Sequence, residues 1–105
     1  MDSPFAPFRL GPGEGGCLSA HGPLTFATAR SARLAGLEVL RLASTATCID
    51  CAGVTSADSA GLAVLLDWLA AARLAGRSLK LTNLPQDLTA LGRISEVDQL
   101  LASGV

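Results

Sequence analysis

The chain has 105 residues, of which 50% are hydrophobic and 16% are charged, so it suits one folded domain and is not expected to be disordered. The net charge of −1, with three Phe and one Trp, argues against nucleic acid as a partner, because no basic stripe or stacking surface is evident. No signal sequence and no apolar run of about 20 residues is visible. We therefore expect a cytoplasmic protein without direct membrane insertion.

A hairpin is predicted at the start of the chain. Residues 8–10 form a candidate strand, residues 11–16 are a turn by composition, and Cys17–His21 alternates as a second strand that Gly22 and Pro23 stop. Residues 1–16 are thus expected to be an irregular segment or a first edge strand.

A helix and a buried strand are predicted next. Thr25 can cap a helix that runs to about Ala43, and Thr47–Cys51 is a strand with apolar residues on both faces, as in a covered sheet. The buried stripe of the helix would hold Phe26, Leu34, Leu37 and Leu40.

The second half begins with the strongest predicted helix, Ser59–Ala75, which Gly76 ends as a C′ glycine. Ser78–Thr82 follows as a strand. A short helix then holds Leu88 and Leu91. Ser95 opens a last helix with capping-box spacing to Asp98, and its inward residues would be Val97, Leu100 and Leu101.

The alternation of strands and helices predicts an α/β fold with a partly parallel sheet. We expect one domain over residues 1–105, with a small mixed β-sheet of about four strands packed against about four helices.

The candidate site is the loop 52–58, which follows a strand and feeds the N-terminus of the main helix. Asp58 or Ser59 can cap that helix, which needs no further function. The same terminus also favours an anion or a partner contact, because its N–H groups are unpaired and carry partial positive charge. Both roles are compatible with these residues.

The main helix is apolar on most sides. Its core face would carry Leu62, Leu65, Leu66 and Leu69. The opposite face would carry Ala60, Val64, Ala71 and Ala75, flanked by Asp67 and Trp68. Such a helix is usually covered on both sides, which predicts a partner surface anchored by Trp68. The alternative is an Ala-rich face that is simply tolerated in water.

Catalysis and metal binding find little support. His21 is the only histidine, and a Ser59–His21–Asp58 triad lacks a nucleophile elbow. There is no phosphate-binding or dinucleotide motif, and Asp50 with Asp58 is weak evidence for a cation. We expect no catalytic residue, no metal and no cofactor.

Three cysteines, Cys17, Cys48 and Cys51, cannot all pair within one chain, and without an export signal we expect reduced structural thiols. Cys48 and Cys51 have CxxC spacing, but residues three apart on a strand face opposite sides. A thiol–disulfide enzyme is therefore a disfavoured alternative.

The chain resembles the STAS domains, the fold of bacterial anti-sigma-factor antagonists, over Cys17 to Leu101. The resemblance rests on "CID" at Cys48, "DSAGLAVLL" at Asp58 and "LKLTNLPQDLTALGRI" at Leu79. "HGPLTFATA", which begins at His21, is similar to the MlaB-type branch of the family. Classical antagonists carry an Asp shortly after the equivalent of Gly22, and often read Asp-Ser-Ser-Gly where this chain has Asp-Ser-Ala-Gly.

The resemblance implies a non-enzymatic subunit that binds and supports the cytosolic ATPase (MlaF-like) of an ABC-type phospholipid transporter that maintains outer-membrane lipid asymmetry. Such a protein would associate with the inner membrane through that partner. The contact would use Ser59 and the helix after it. The alternative is an anti-sigma-factor antagonist that binds an anti-sigma kinase and is switched by phosphorylation of Ser59.

Overall fold

The structure is a computed structural model, and it describes residues 7–13, 15, 17–42 and 48–94. These residues form four strands and three helices. In chain order they are β1 (Arg9–Pro12), β2 (Leu18–Leu24), α1 (Ala29–Leu42), β3 (Cys48–Ala57), α2 (Ser59–Leu74), β4 (Lys80–Thr82) and α3 (Gln86–Ile94). The last helix predicted from Ser95 lies outside the described residues.

The four strands form one mixed sheet in the order β1-β2-β3-β4. β1 pairs antiparallel with β2, as predicted for a hairpin, whereas β2–β3 and β3–β4 are parallel. The β2–β3 register runs from Leu18 beside Ile49 to Leu24 beside Ala57. The carboxyl ends of the two central strands, β2 and β3, therefore lie side by side at the same end of the sheet. The predicted α/β architecture is confirmed.

Two strands extend beyond their predicted ends. β2 continues through Gly22 and Pro23, where the register with β3 shifts and Gly22 adopts a φ of 96° that suits glycine. β3 continues to Ala57, so most of the predicted loop 52–58 is strand. Each extension is stabilised by the other strand, because backbone groups that would need solvent in a loop find ladder partners instead.

The sheet has one covered and one open face. Ala20, Ile49, Cys51 and Leu81 are buried, whereas their neighbours His21, Asp50, Lys80 and Thr82 are partly or fully exposed. The prediction that β3 is apolar on both faces in a covered sheet is therefore wrong. Asp50 shows the difference most clearly, since it lies between two fully buried residues of the same strand.

α1 begins at Ala29, so the predicted cap at Thr25 is wrong. Residues 26–28 form a turn, in which the Thr28 hydroxyl accepts a hydrogen bond from the Thr25 N–H (3.0 Å) and donates one to the Pro23 carbonyl (2.7 Å). The buried stripe of α1 contains Ala32, Gly36 and Leu40.

Two members of the predicted stripe are exposed. Phe26 is 85% exposed because it precedes the helix, and Leu34 is 52% exposed because it faces away from Ala32 and Gly36. Leu37 is half-buried.

α2 lies at the centre of the helical layer and contacts both α1 and α3. Seven of its 16 residues are buried, and these include Val64 and Trp68, whose exposed fractions are 3% and 0%. The prediction that these two residues face outward is wrong. The second apolar side of α2 is covered within the domain, because neighbouring helices pack against its flanks.

Trp68 occupies the α1–α2 interface. Its ring centroid lies 5.8 Å from that of Phe8. The indole also approaches Gly36 so closely that an added Cβ there would overlap it. Its Nε1 has no hydrogen-bond partner although it is buried. Gly36 is therefore required by packing, although glycine disfavours the helix locally.

The end of α2 agrees with the prediction. Gly76 has a φ of 71°, its N–H donates to the Arg73 carbonyl (3.0 Å), and the Arg77 N–H donates to the Ala72 carbonyl (2.9 Å). This pair of bonds is a Schellman motif. The Arg77 side chain also donates to the Leu40 carbonyl, which ties the end of α2 to α1.

The cysteines differ from expectation in one respect. Cys17 and Cys48 form a disulfide, with their Cα atoms 4.7 Å apart, so the prediction of three reduced thiols is wrong. Cys51 is free and fully buried, on the side of β3 opposite to half-buried Cys48. The prediction that Cys48 and Cys51 face opposite sides is therefore confirmed.

Candidate functional site

The candidate site is the corner where β2 and β3 end and α2 begins. Leu24 and Ala57 lie side by side, and the Asp58 N–H donates to the Leu24 carbonyl at 3.4 Å. The first turn of α2 packs directly on this strand end, because a Cβ added at Gly61 would overlap the Leu24 carbonyl oxygen. Glycine at this position therefore permits the close approach of helix and sheet.

Asp58 is the N-cap of α2. Its backbone is extended, and its Oδ1 accepts hydrogen bonds from the N–H groups of Ala60 (2.9 Å) and Gly61 (3.2 Å). A carboxylate satisfies two helix N–H groups here and also complements the helix dipole. The choice between Asp58 and Ser59 as the cap is therefore settled in favour of Asp58.

The other oxygen of Asp58 reaches across the corner. Oδ2 accepts a hydrogen bond of 3.0 Å from the Phe26 N–H, in the turn that follows β2. The ring of Phe26 projects from this turn and is 85% exposed. The sequence did not predict that Phe26 is exposed and held by Asp58, because a helix that begins at Thr25 would place the Phe26 ring in the core.

Ser59 is the first residue of α2, and it is exposed. It also lines an open cavity of about 430 Å³ between the start of α2 and α3. The cavity walls comprise Ala57, Asp58, Ser59, Asp87, Ala90 and Leu91. We call Phe26, Ser59 and the walls of this cavity the Phe26–Ser59 surface.

The remaining residues of the predicted partner site are dispersed. Ala60 is half-buried beside Ser59. Asp67 lies about two turns further along α2 and forms a half-exposed ion pair with Arg33 (3.0 Å), and Ala71 is half-buried one turn beyond. The outward face of α2 actually carries Ser59, Ala63, Asp67, Ala70 and Leu74. It is still weakly charged, but it is rotated from the face that was predicted.

The polar residues outside this corner make separate contacts. His21 Nε2 lies 2.8 Å from Ser19 Oγ on the open face of the sheet. Asp50 Oδ1 accepts hydrogen bonds from Asn83 Nδ2 (3.0 Å) and the Ala52 N–H (2.9 Å), and these bonds lower the pKa of Asp50. Within residues 7–13, 15, 17–42 and 48–94, no group of three His, Cys, Asp or Glu side chains could hold a metal ion.

Solved structures share this fold at low sequence identity. The anti-sigma factor antagonist SpoIIAA in its unphosphorylated form aligns with a TM-score of 0.59 and 15% identity, over 89% of this chain and 82% of SpoIIAA. SLC26A9 aligns with a TM-score of 0.63 and 18% identity, over 79% of this chain but only 16% of SLC26A9. The fold is thus that of the STAS domains.

A comparison of the sequence with known families identifies the branch of the STAS domains to which the chain belongs. The family described as "Mlab, STAS domain" matches residues 11–102, so the chain belongs to the MlaB-type STAS family. No curated protein is significantly similar to the chain in sequence. STAS domains are generally non-enzymatic regulatory domains. In the described part of the chain, no helix has the length and apolar character needed to cross a membrane.

Proposed function

We propose that this protein is a non-enzymatic STAS subunit that binds and supports the cytosolic ATPase of an ABC-type phospholipid transporter maintaining outer-membrane lipid asymmetry. The family match over residues 11–102 supports this assignment. In this proposal the protein is cytoplasmic and reaches the inner membrane through its partner.

The observation that carries the proposal is the exposure of Phe26 at the α2 corner. An aromatic ring that is 85% exposed has lost little water on folding, so its burial by a partner remains available. Its backbone is held by Asp58, which also caps α2, so the ring is presented from a fixed turn. Fixing an anchor before binding reduces the entropy that is lost on association.

Ser59 and the cavity beside it extend this contact. Ser59 directly follows the Asp58 cap and is exposed. Ala90 and Leu91 give the cavity an apolar wall. An apolar anchor beside a concave, partly polar surface is typical of protein interfaces. We assign the contact to Phe26, Asp58, Ser59 and Ala60, with Asp67 and Ala71 at its margin along α2.

Co-purification from the native organism tests the proposal. Tagged protein should recover the ATPase subunit of an ABC transporter, and recovery should fall when Phe26 is replaced by Ala. Leu74→Ala is a matched control, because Leu74 is 90% exposed at the opposite end of α2. Equal recovery by wild type and Phe26→Ala, together with loss by Leu74→Ala, would move the interface away from the corner.

A second candidate function is favoured by the exposure of Ser59. An exposed hydroxyl at a helix N-terminus is accessible to a kinase, and the fold is shared with the anti-sigma factor antagonist SpoIIAA. In that case the partner is an anti-sigma kinase, and phosphorylation of Ser59 breaks the complex through added charge. Recovery of a kinase instead of an ABC ATPase would select this alternative.

A further inference from the structure

We propose that Cys17 and Cys48 form a reversible redox pair, in which Cys48 is the attacking thiolate and Cys17 the resolving thiol. Cys17 directly precedes β2 and Cys48 is the first residue of β3, so the pair lies at the opposite end of these strands from Leu24 and Ala57. The inference is independent of the function proposed above.

The parallel register places the two cysteines side by side. Leu18 pairs with Ile49, so Cys17 and Cys48, one residue earlier on each chain, are also neighbours across the sheet. Their Cα separation of 4.7 Å matches both the spacing of adjacent strands and the range that a disulfide spans. The bond therefore requires no rearrangement of the sheet.

Lys80 is the neighbour that favours the thiolate form of reduced Cys48. Lys80 is the in-register neighbour of Cys48 on β4, on the side away from Cys17, and it is exposed on the same open face. A cationic neighbour favours a thiolate, which is the reactive species in thiol–disulfide exchange. Asp50, the acidic neighbour on this face of β3, opposes the thiolate through its negative charge, and its carboxylate accepts hydrogen bonds from Asn83 and the Ala52 N–H.

The pair is also accessible to a small reactant. Both cysteines are half-buried rather than enclosed, and Cys17 lines an open cavity of about 380 Å³ with Pro12, Gly13, Ser19, Asp50 and Thr82. A low-molecular-weight thiol or disulfide can approach Cys17 through this space, and the half-buried Cys48 is reached from the open face of the sheet. The third cysteine cannot compete, because burial raises the pKa of Cys51 to about 12 and its side chain faces the core.

The reaction is a two-step exchange with oxidised glutathione as the oxidant. The Cys48 thiolate attacks one sulfur of glutathione disulfide, which forms a mixed disulfide and releases one glutathione thiolate. The Cys17 thiol loses its proton and attacks the Cys48 sulfur, which forms the Cys17–Cys48 bond and releases the second glutathione. The two cysteines thus give up two electrons and two protons, and two molecules of glutathione are formed.

The bond should change the stability of the domain in a redox-dependent manner. It closes a loop with a sequence separation of 31 that contains β2 and α1, so it removes entropy from the unfolded chain. We expect the Tm in oxidised glutathione to exceed that in reduced glutathione by about 10 °C. Partner binding at the far corner should be the same in both states.

The test combines mass spectrometry with thermal unfolding of the full chain. Wild type equilibrated with oxidised glutathione should leave one thiol for alkylation after denaturation, and peptide mapping should locate the bond between Cys17 and Cys48. The Tm difference should vanish in Cys17→Ser and in Cys48→Ser. Alkylation of all three cysteines, a bond that involves Cys51, or an unchanged Tm difference in Cys17→Ser would overturn the proposal.

The direction of attack has its own readout. With Cys17→Ser, the mixed disulfide should accumulate on Cys48, and the further change Lys80→Gln should slow its formation several-fold. With Cys48→Ser, the reaction of Cys17 should be slower and insensitive to Lys80→Gln. Equal rates for Cys17 and Cys48, or no effect of Lys80→Gln, would refute the assigned roles even if the bond forms.

Discussion

The backbone N–H of Phe26 and the carboxylate of Asp58 are joined by a hydrogen bond of 3.0 Å that spans from the end of β2 to the start of α2. The same carboxylate accepts bonds from Ala60 and Gly61 through its other oxygen. One side chain therefore caps the central helix and positions the exposed aromatic ring. Stability and presentation of the proposed interface are coupled through Asp58.

Substitution of Asp58 should separate these two roles. Asp58→Ala removes every bond, and we expect it to lower the free energy of unfolding by about 1–2 kcal/mol. Asp58→Asn should cost less, because its oxygen can still cap α2 while its amide N–H₂ opposes the Phe26 N–H. Urea unfolding measures both, with Asp67→Ala as a surface control that should cost about 0–1 kcal/mol. A loss for Asp58→Ala no larger than that for Asp67→Ala would contradict this role.

The core position of Trp68 gives a second prediction. Trp68→Ala should cost about 3–5 kcal/mol of folding free energy, because it leaves a cavity beside Phe8 and Gly36. Trp68→Phe should cost much less, since it retains an aromatic ring and removes the unpaired Nε1 donor. Chemical denaturation followed by circular dichroism measures both variants. A stable Trp68→Ala that loses only partner binding would contradict the buried position.

The close approach of Gly61 to Leu24 can be tested in the same way. Gly61→Ala should destabilise the domain by about 1–3 kcal/mol, because the added methyl group would overlap a backbone carbonyl that cannot move freely. Gly11→Ala is a suitable control, since no atom lies within 4 Å of an added Cβ at that position. Comparable unfolding midpoints for the two variants would show that α2 does not pack on the β2 end as described.

The lowered pKa of Asp50 predicts that the stability of the domain depends on pH. Hydrogen bonds, first from Asn83 and then from the Ala52 N–H, lower the pKa of Asp50 below its ordinary value of 3.8. Its stabilising effect is therefore fully present above that value and is lost as the pH falls through the lower pKa of the folded state.

Asn83→Ala removes the main cause of this shift. Its loss of stability relative to wild type should be largest near neutral pH and should shrink as the pH approaches the pKa of folded Asp50. Urea unfolding across the acidic range measures this difference. A difference that grows on acidification would reverse the predicted sign.

The sequence predicted the architecture well because its strongest signals are local. Two local signals define the ends of α2, namely the capping pattern at Asp58 and the glycine at position 76. The apolar run between them predicts the helix itself, and none of these signals depends on the rest of the chain. The STAS resemblance then supplied the family, which the match over residues 11–102 confirms.

The predictions from sequence were wrong where the structure of a residue depends on contacts with residues far away in the chain. β2 and β3 extend because they pair with each other, and Trp68 is buried because α1 and Phe8 pack against it. Strand pairing does not follow from periodicity, and periodicity also cannot tell a helix face covered by a partner from one covered by a neighbouring helix. The Cys17–Cys48 contact likewise depends on the parallel register and not on sequence spacing.

The central claim is that the Phe26–Ser59 surface binds an ABC-type ATPase, and titration calorimetry of the purified pair tests it most directly. Phe26→Ala should weaken binding by about 2 kcal/mol, as expected for an aromatic anchor. Ser59→Glu should also weaken it while leaving the Tm nearly unchanged, because a carboxylate suits the helix N-terminus but not a desolvated contact. Leu74→Ala should bind as wild type does. Wild-type affinity in both Phe26→Ala and Ser59→Glu would contradict the account.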